Sequence, residues 1–216
     1  MPKNLVTFGS AVASDLLSCF AIPGGGTLGY LAGAFMEERQ KKAVDTFLAE
    51  LSNGYHGEIG FEEADIDPLI SILLRYSKAA SDGAAIINLR LLSQVVLGLK
   101  KNKTLDDDNF LRWCAVLEHL TRAELLMIGF SIVIDREFQV KSKDDPRRVF
   151  WQVLKQRMEA GGYSPSEISS LAASVGRYGI LVPVSAFGGL NYEASDWLRQ
   201  LGDLVDTQLI LEGMAT

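Results

Sequence analysis

The sequence predicts a mainly α fold, a helical bundle closed by one C-terminal β-hairpin that gives the last third a winged-helix-like order. Three observations carry this. Apolar residues recur at helical spacing through most of the chain. Several stretches open on a cap or capping-box sequence. Only "GILVPVSAFGGLNYEAS", Gly179 to Ser195, combines β-branched residues with a Gly-Gly turn. The organisation expected is an apolar, Gly-rich arm with a long helix (1–54), a central helical bundle (55–140) and the winged-helix-like module (141–216).

Asn4 to Met36 is apolar and Gly-rich, and charge begins abruptly at Glu37 in "EERQKK". Phe35, Met36, Val44, Phe47, Leu48 and Leu51 recur at helical spacing and Asn53-Gly54 supplies a stop, so one long helix is expected from about Thr27 to Ser52. The connector "NGYHGEIGFEE" reads as a loop. Asp67-Pro68 is a cap with proline at the first helical position, and the helix it opens carries Leu69, Ile70, Ile72, Leu73, Leu74 and Tyr76. So apolar a pattern predicts deep burial. A further helix is expected from about Gly83 to Leu99.

The charged turn "KKNKTLDDDN" puts aspartates at the start of a helix carrying Phe110, Trp113, Leu117 and Leu120, where they complement the dipole. Thr121-Arg-Ala-Glu124 is a capping box opening a helix to about Phe138. After a stop at "KSKDDP", Pro146 to Ala160 is amphipathic and Gly161-Gly162 ends it. Ser164-Pro165-Ser166-Glu167 joins cap, proline and reciprocal Glu, and its helix runs to near Gly176. Ile180, Val182 and Val184, a turn at Gly188-Gly189 and the returning Leu190-Asn191-Tyr192 form the hairpin, with Pro183 marking an edge strand. One last helix, roughly Ser195 to Leu211, carries Trp197, Leu198, Leu201, Leu204, Val205 and Leu209.

With 216 residues the chain can hold one large domain or two small ones. It is 48% hydrophobic against 22% charged. The apolar excess lies at the front, where Leu16 to Met36 carries no charge. A thin basic start at Lys3 and the interruption at Asp15 argue against a secretory leader, so a cytoplasmic chain is expected, with membrane association left open by the apolar front. Cys19 and Cys114 lie far apart without a C-x-x-C partner and read as buried thiols. A net charge of -6 opposes general attraction to nucleic acid. The best local exception is Lys141 to Arg157, where Lys141, Lys143, Arg147, Arg148, Lys155 and Arg157 stand against Asp144 and Asp145.

"AIPGGGTLGYLAG", Ala21 to Gly33, admits two frames. Gly24-x-Gly26-x-x-Gly29 matches the dinucleotide string, yet that chemistry needs a following parallel strand and an acidic residue beyond it. Asp45 and Glu50 fall inside the same helix, and no Lys-Ser or Lys-Thr pair makes a P-loop. The other frame puts Ala21, Gly25, Gly29 and Gly33 on one helical face, a glycine zipper that lets two backbones approach closely. Pro23 and the glycine cluster would interrupt a helix spanning a bilayer core of about 30 Å, and Asp15 would be costly inside it. Burial in the bundle, homo-oligomer or protein contact, and conditional contact with a membrane surface remain open.

Catalytic signals are sparse. His56 stands near Glu58, Glu62, Glu63 and Asp65, but the spacing matches no ligand set and reads as solvated loop charge. His119, between Glu118 and Leu120, reads as a helix-end cap or a core group. "LDDDNF" lacks the glycine of a calcium loop and places Phe110 where an oxygen ligand belongs. Neither G-x-S-x-G nor H-E-x-x-H occurs. The expectation is a non-enzymatic chain with no metal and no cofactor. In the C-terminal third, Glu167 to Arg177 occupies a recognition-helix position and Phe187-Gly188-Gly189 a wing tip, which makes Arg147, Arg148 and Arg177 the candidate DNA contacts. The outward residues of that helix are mainly serines, and phosphate binding wants more cations.

The order of an apolar front, a helical middle with "LEHLTRAELLMI" and the ending "YGILVPVSAFGGLNYEAS" resembles bacterial and phage-defence proteins of the abortive-infection alpha type. In that group a helix leads into a "GL" strand, a short wing and a Tyr-x-x-Thr start to the last helix. Gly179-Ile180-Leu181 and Tyr192-Glu193-Ala194-Ser195 occupy those places, with Ser for Thr and without the usual following Gly. The resemblance covers roughly the last forty residues and the general organisation, and a likeness of fold transfers no active residue. It implies a role in defence or stress. The function expected is that of a non-enzymatic interaction or regulatory protein; the alternatives are a winged-helix DNA-binding regulator and an enzyme of unassigned class.

Overall fold

A computed structural model describes residues 27–53, 55–57, 59–141, 146–186 and 189–212, with side chains from residue 38 onward apart from 53, 140–141, 146–148 and 186. Among the described residues are nine helices and one two-stranded antiparallel hairpin, the mainly α architecture that the patterning predicts. The chain falls into two compact units, one ending at His119 and one beginning at Leu120.

The first unit holds α1 (Thr27–Asn53), a 3-10 turn (Glu63–Asp65), α2 (Ile66–Asp82), α3 (Ile86–Lys101) and α4 (Asp107–Leu117). Its centre is α3, which packs against the other three helices and is buried at every residue from Leu91 to Leu99. Apolar and small residues all round its circumference are what a central helix requires. The aspartate run is a helix start, as predicted: the Asn109 N–H donates to Asp106 Oδ1 at 2.8 Å. α4 stops at Leu117, short of Leu120.

α2 begins earlier than Asp67-Pro68 suggests. The helix opens at Ile66 from the 3-10 turn, in which Glu62 and Asp65 form a reciprocal capping box. Proline is therefore the third helical residue, tolerated because first-turn N–H groups have no partner within the helix. At the other end Gly83 adopts φ +98°, and its N–H turns back to the carbonyls of Ala79 and Ala80.

The second unit holds α5 (Arg122–Lys141), α6 (Pro146–Ala160), α7 (Pro165–Arg177), the strands β1 (Leu181–Ala186) and β2 (Gly189–Ala194), α8 (Asp196–Leu204) and α9 (Thr207–Glu212). Both predicted capping boxes form. The Thr121 N–H donates to Glu124 Oε2 at 2.8 Å while the Glu124 N–H donates to Thr121 Oγ1 at 3.3 Å. Ser164 and Glu167 exchange the same bonds at 2.8 and 3.4 Å. The hairpin runs in register from Leu181 opposite Ala194 to Ala186 opposite Gly189. Leu181 and Tyr192 share its buried face, where Tyr192 meets Trp151 at 5.1 Å between ring centroids.

The single last helix that the pattern predicts is two. Val205 is extended and buried between α8 and α9, and Asp206 starts the new turn by accepting the Gln208 N–H at 2.9 Å. Leu201, Leu204, Val205 and Leu209 are all buried, so the apolar period survives the break. Aspartate's competition for backbone N–H groups decides where it falls. α8 also lies very close to α5, since a Cβ at Gly202 would sit 2.9 Å from Ile132 Cγ2.

Candidate functional site

In the first unit buried polar groups tie α1 to α3 and α2 to both. Glu50 of α1 is almost completely buried and accepts from Arg90 Nε at 2.5 Å and from Gln94 Nε2 at 2.8 Å, both on α3. The Tyr76 hydroxyl of α2 donates to the Ala43 carbonyl at 3.0 Å and accepts from Ser93 at 3.2 Å. Burial above all pushes the Tyr76 phenol well above its ordinary value, so it stays a neutral donor. The start of α2 is pinned as well. Lys100 Nζ reaches Asp65 Oδ2 at 2.5 Å, and although burial pushes that carboxyl up, the hydrogen bonds from Glu62 and Lys100 outweigh it and hold it below the usual range.

Held this way, α2 turns Leu69, Ile72, Leu73 and Tyr76 into the core and leaves Ile66, Ile70 and Leu74 on the outside. Deep burial of the whole helix is therefore corrected: those three side chains are 41%, 48% and 48% exposed. They stand four residues apart, one row along one face. The reason is geometric. Apolar residues cover more of the circumference of α2 than its three neighbours α1, α3 and α4 take up. Charges flank the row: Glu63 and Asp67 are exposed at its start, Arg75 and Lys78 toward its end.

Of the small-residue face predicted from sequence, Gly29 and Gly33 fall on α1, while Ala21 and Gly25 lie outside the described residues. Arg147 and Arg148 fall on α6 with their side chains outside the described residues. Arg177 is exposed at the end of α7 and donates to Ser174 Oγ at 3.1 Å. That hydroxyl donates in turn to Glu124, tying α7 to the capping box of α5. Within the basic stretch, Arg157 Nη2 reaches both Glu137 oxygens at 3.0 and 3.1 Å, and Lys155 lies 5.8 Å from the centre of the Trp151 ring. Phe150 and Trp151 are core residues, as their spacing suggests.

His56 is buried against the Tyr55 ring at 4.8 Å rather than solvated in a loop. His119 is neither a core group nor a carbonyl cap; it is exposed, with Nε2 3.0 Å from Glu118 Oε1. Cys114 is a buried thiol, pushed up to about 12 by burial and by the adjacent Glu118 carboxylate. Among the described residues no cluster of three metal-ligating side chains occurs, and no helix is long and apolar enough to cross a membrane.

The second unit carries a cleft of about 370 Å³ lined by Asp135, Phe138, Gln139, Phe150, Glu193 and Arg199. Arg199 grips Asp135 through Nε and Nη2 at 3.0 and 3.1 Å, and Gln139 donates to the same carboxylate at 2.7 Å. The constellation joins α5 to α8 across a sequence gap that no local spacing could reveal. The charges of Asp135 and Arg199 are spent on each other, with Glu193 on the same lining.

Against family models, curated proteins and solved structures, the chain finds no match.

Proposed function

We propose that this chain is a non-enzymatic interaction protein whose working surface is the apolar row Ile66, Ile70 and Leu74 on α2. The carrying observation is that three branched aliphatic side chains stand nearly half exposed in line, on a helix fixed from behind by the Tyr76 bonds to α1 and α3. Scattered apolar residues are normal on a surface, whereas an aligned row marks a contact. The setting suggested by the resemblance of the last residues is defence or stress, with the protein acting as a regulator. The face formed by Ala21, Gly25, Gly29 and Gly33 belongs to the same proposal as a second contact, for oligomerisation or a membrane surface; liposome flotation of wild type against Gly29→Leu tests it.

The row itself is tested by photocrosslinking in cells from an unnatural residue at position 70, with the exposed position 45 on α1 as control. An adduct to a protein from 70 but not from 45 is the expected result. Equal or absent adducts overturn the proposal.

A further inference from the structure

We infer that the partner seated on this row is a second copy of the chain, paired α2 to α2 in antiparallel orientation about a two-fold axis beside Ile70; the inference rests on the interaction reading above and names its partner. A two-fold contact uses the same patch twice, so the patch must complement itself. This one does. With the axis at Ile70, each Ile70 meets the other, and Ile66 of each copy meets Leu74 of its mate, since both lie four residues from the centre.

Charge chooses the orientation. The exposed acids Glu63 and Asp67 lie toward the start of the row and the exposed bases Arg75 and Lys78 toward its end. Antiparallel pairing brings acids to bases, whereas parallel pairing sets like against like. Lys78 continues the row, four residues beyond Leu74, so antiparallel pairing brings it to the start of its mate's row, where Glu62 and Glu63 are exposed. Lys78 is free to turn there, because its present partner Asp82, at 2.6 Å, is an exposed neighbour on the same helix and its side chain is 74% exposed.

The full chain, followed by sedimentation over a wide concentration range, is expected to show a reversible monomer–dimer equilibrium. Ile70→Asp should raise the dissociation constant at least about a hundredfold, because the two-fold places the new charge in the contact twice. Glu63→Lys and Lys78→Glu should each weaken pairing by about tenfold, and an equal mixture of those two variants should recover the wild-type affinity, since each end of the contact then joins unlike charges. Recovery on mixing cannot come from a repaired fold. A dimer indifferent to Ile70→Asp overturns the inference while leaving room for another contact. Failure to recover on mixing overturns the antiparallel register. A monomer at every concentration whose position 70 crosslinks to a different protein, or to the chain's own apolar front, overturns self-pairing; in the first case the interaction reading stands. A monomer without adducts sinks both.

Discussion

Removing the arginine from the Glu50–Arg90 pair is the sharpest test of the buried polar groups that tie α1 to α3. Arg90→Met deletes the cation 2.5 Å from a carboxylate whose side chain is only 2% exposed, leaving Glu50 with Gln94 alone. Breaking a buried pair from one side costs about 3–5 kcal/mol, and the lower end applies here because the Arg90 side chain is 38% exposed. About 3 kcal/mol corresponds to roughly a hundredfold faster exchange of the most protected α3 amides, at 1.4 kcal/mol per factor of ten. Hydrogen exchange read peptide by peptide separates α3 from the second unit. The double variant Glu50→Leu/Arg90→Met removes both charges and should recover most of the loss, because an apolar pair of similar volume is nearly neutral. An acceleration below tenfold, or a double variant worse than the single, would refute the account of Glu50 as a buried charge held by Arg90.

Gly202→Ala sets helix propensity, about 1 kcal/mol in favour of Ala, against overpacking of about 1–3 kcal/mol where the new Cβ would lie 2.9 Å from the stiff Ile132 Cγ2. The second unit should melt lower, and a higher melting temperature contradicts the close approach. Cys114, with its thiol pushed up to about 12, should resist thiol reagents in the native protein and react only on unfolding, so rapid native labelling at neutral pH counts against its placement. Burial pushes the Glu124 carboxyl up, but hydrogen bonds from Ser174 and Thr121 and the charge of Arg177 outweigh it and hold it below its ordinary 4.5. A depressed carboxyl stabilises above that value and loses its contribution as pH falls through the folded-state value. Urea midpoints of wild type and Glu124→Gln should therefore differ at neutral pH and converge in acid; a constant gap argues against it.

The elements that sequence revealed are those decided by local chemistry. Thr121 with Glu124 and Ser164 with Glu167 meet within one helical turn, so their boxes could be read and located. The β-branched run before Gly188-Gly189 gave the hairpin for the same reason. The break at Val205 escaped because burial kept its helical rhythm while only the backbone changed. Asp135 and Arg199 escaped because sixty-four positions separate them. The row on α2 had a visible signal, its spacing of four, but Leu69, Ile72, Leu73 and Tyr76 interleave with it, and a sequence does not say which arc of an apolar helix the neighbours can cover.

That uncovered arc also limits how the surface can act. Fully burying one branched aliphatic side chain is worth about 1.5–3 kcal/mol, so three that are nearly half exposed leave roughly 2–4 kcal/mol unrealised in each copy, and twice that in a two-fold pair. Joining two chains costs an estimated 4–15 kcal/mol in lost freedom. The apolar row alone thus comes close to balance and does not commit the chain to a permanent dimer. Small terms then decide the outcome: the Glu63 and Lys78 contacts, counted twice by symmetry, favour the copy over an arbitrary apolar partner and are weakened by salt. A contact poised in this way responds to the concentration of the chain itself, which is the property a regulatory interaction surface needs and a catalytic cleft does not.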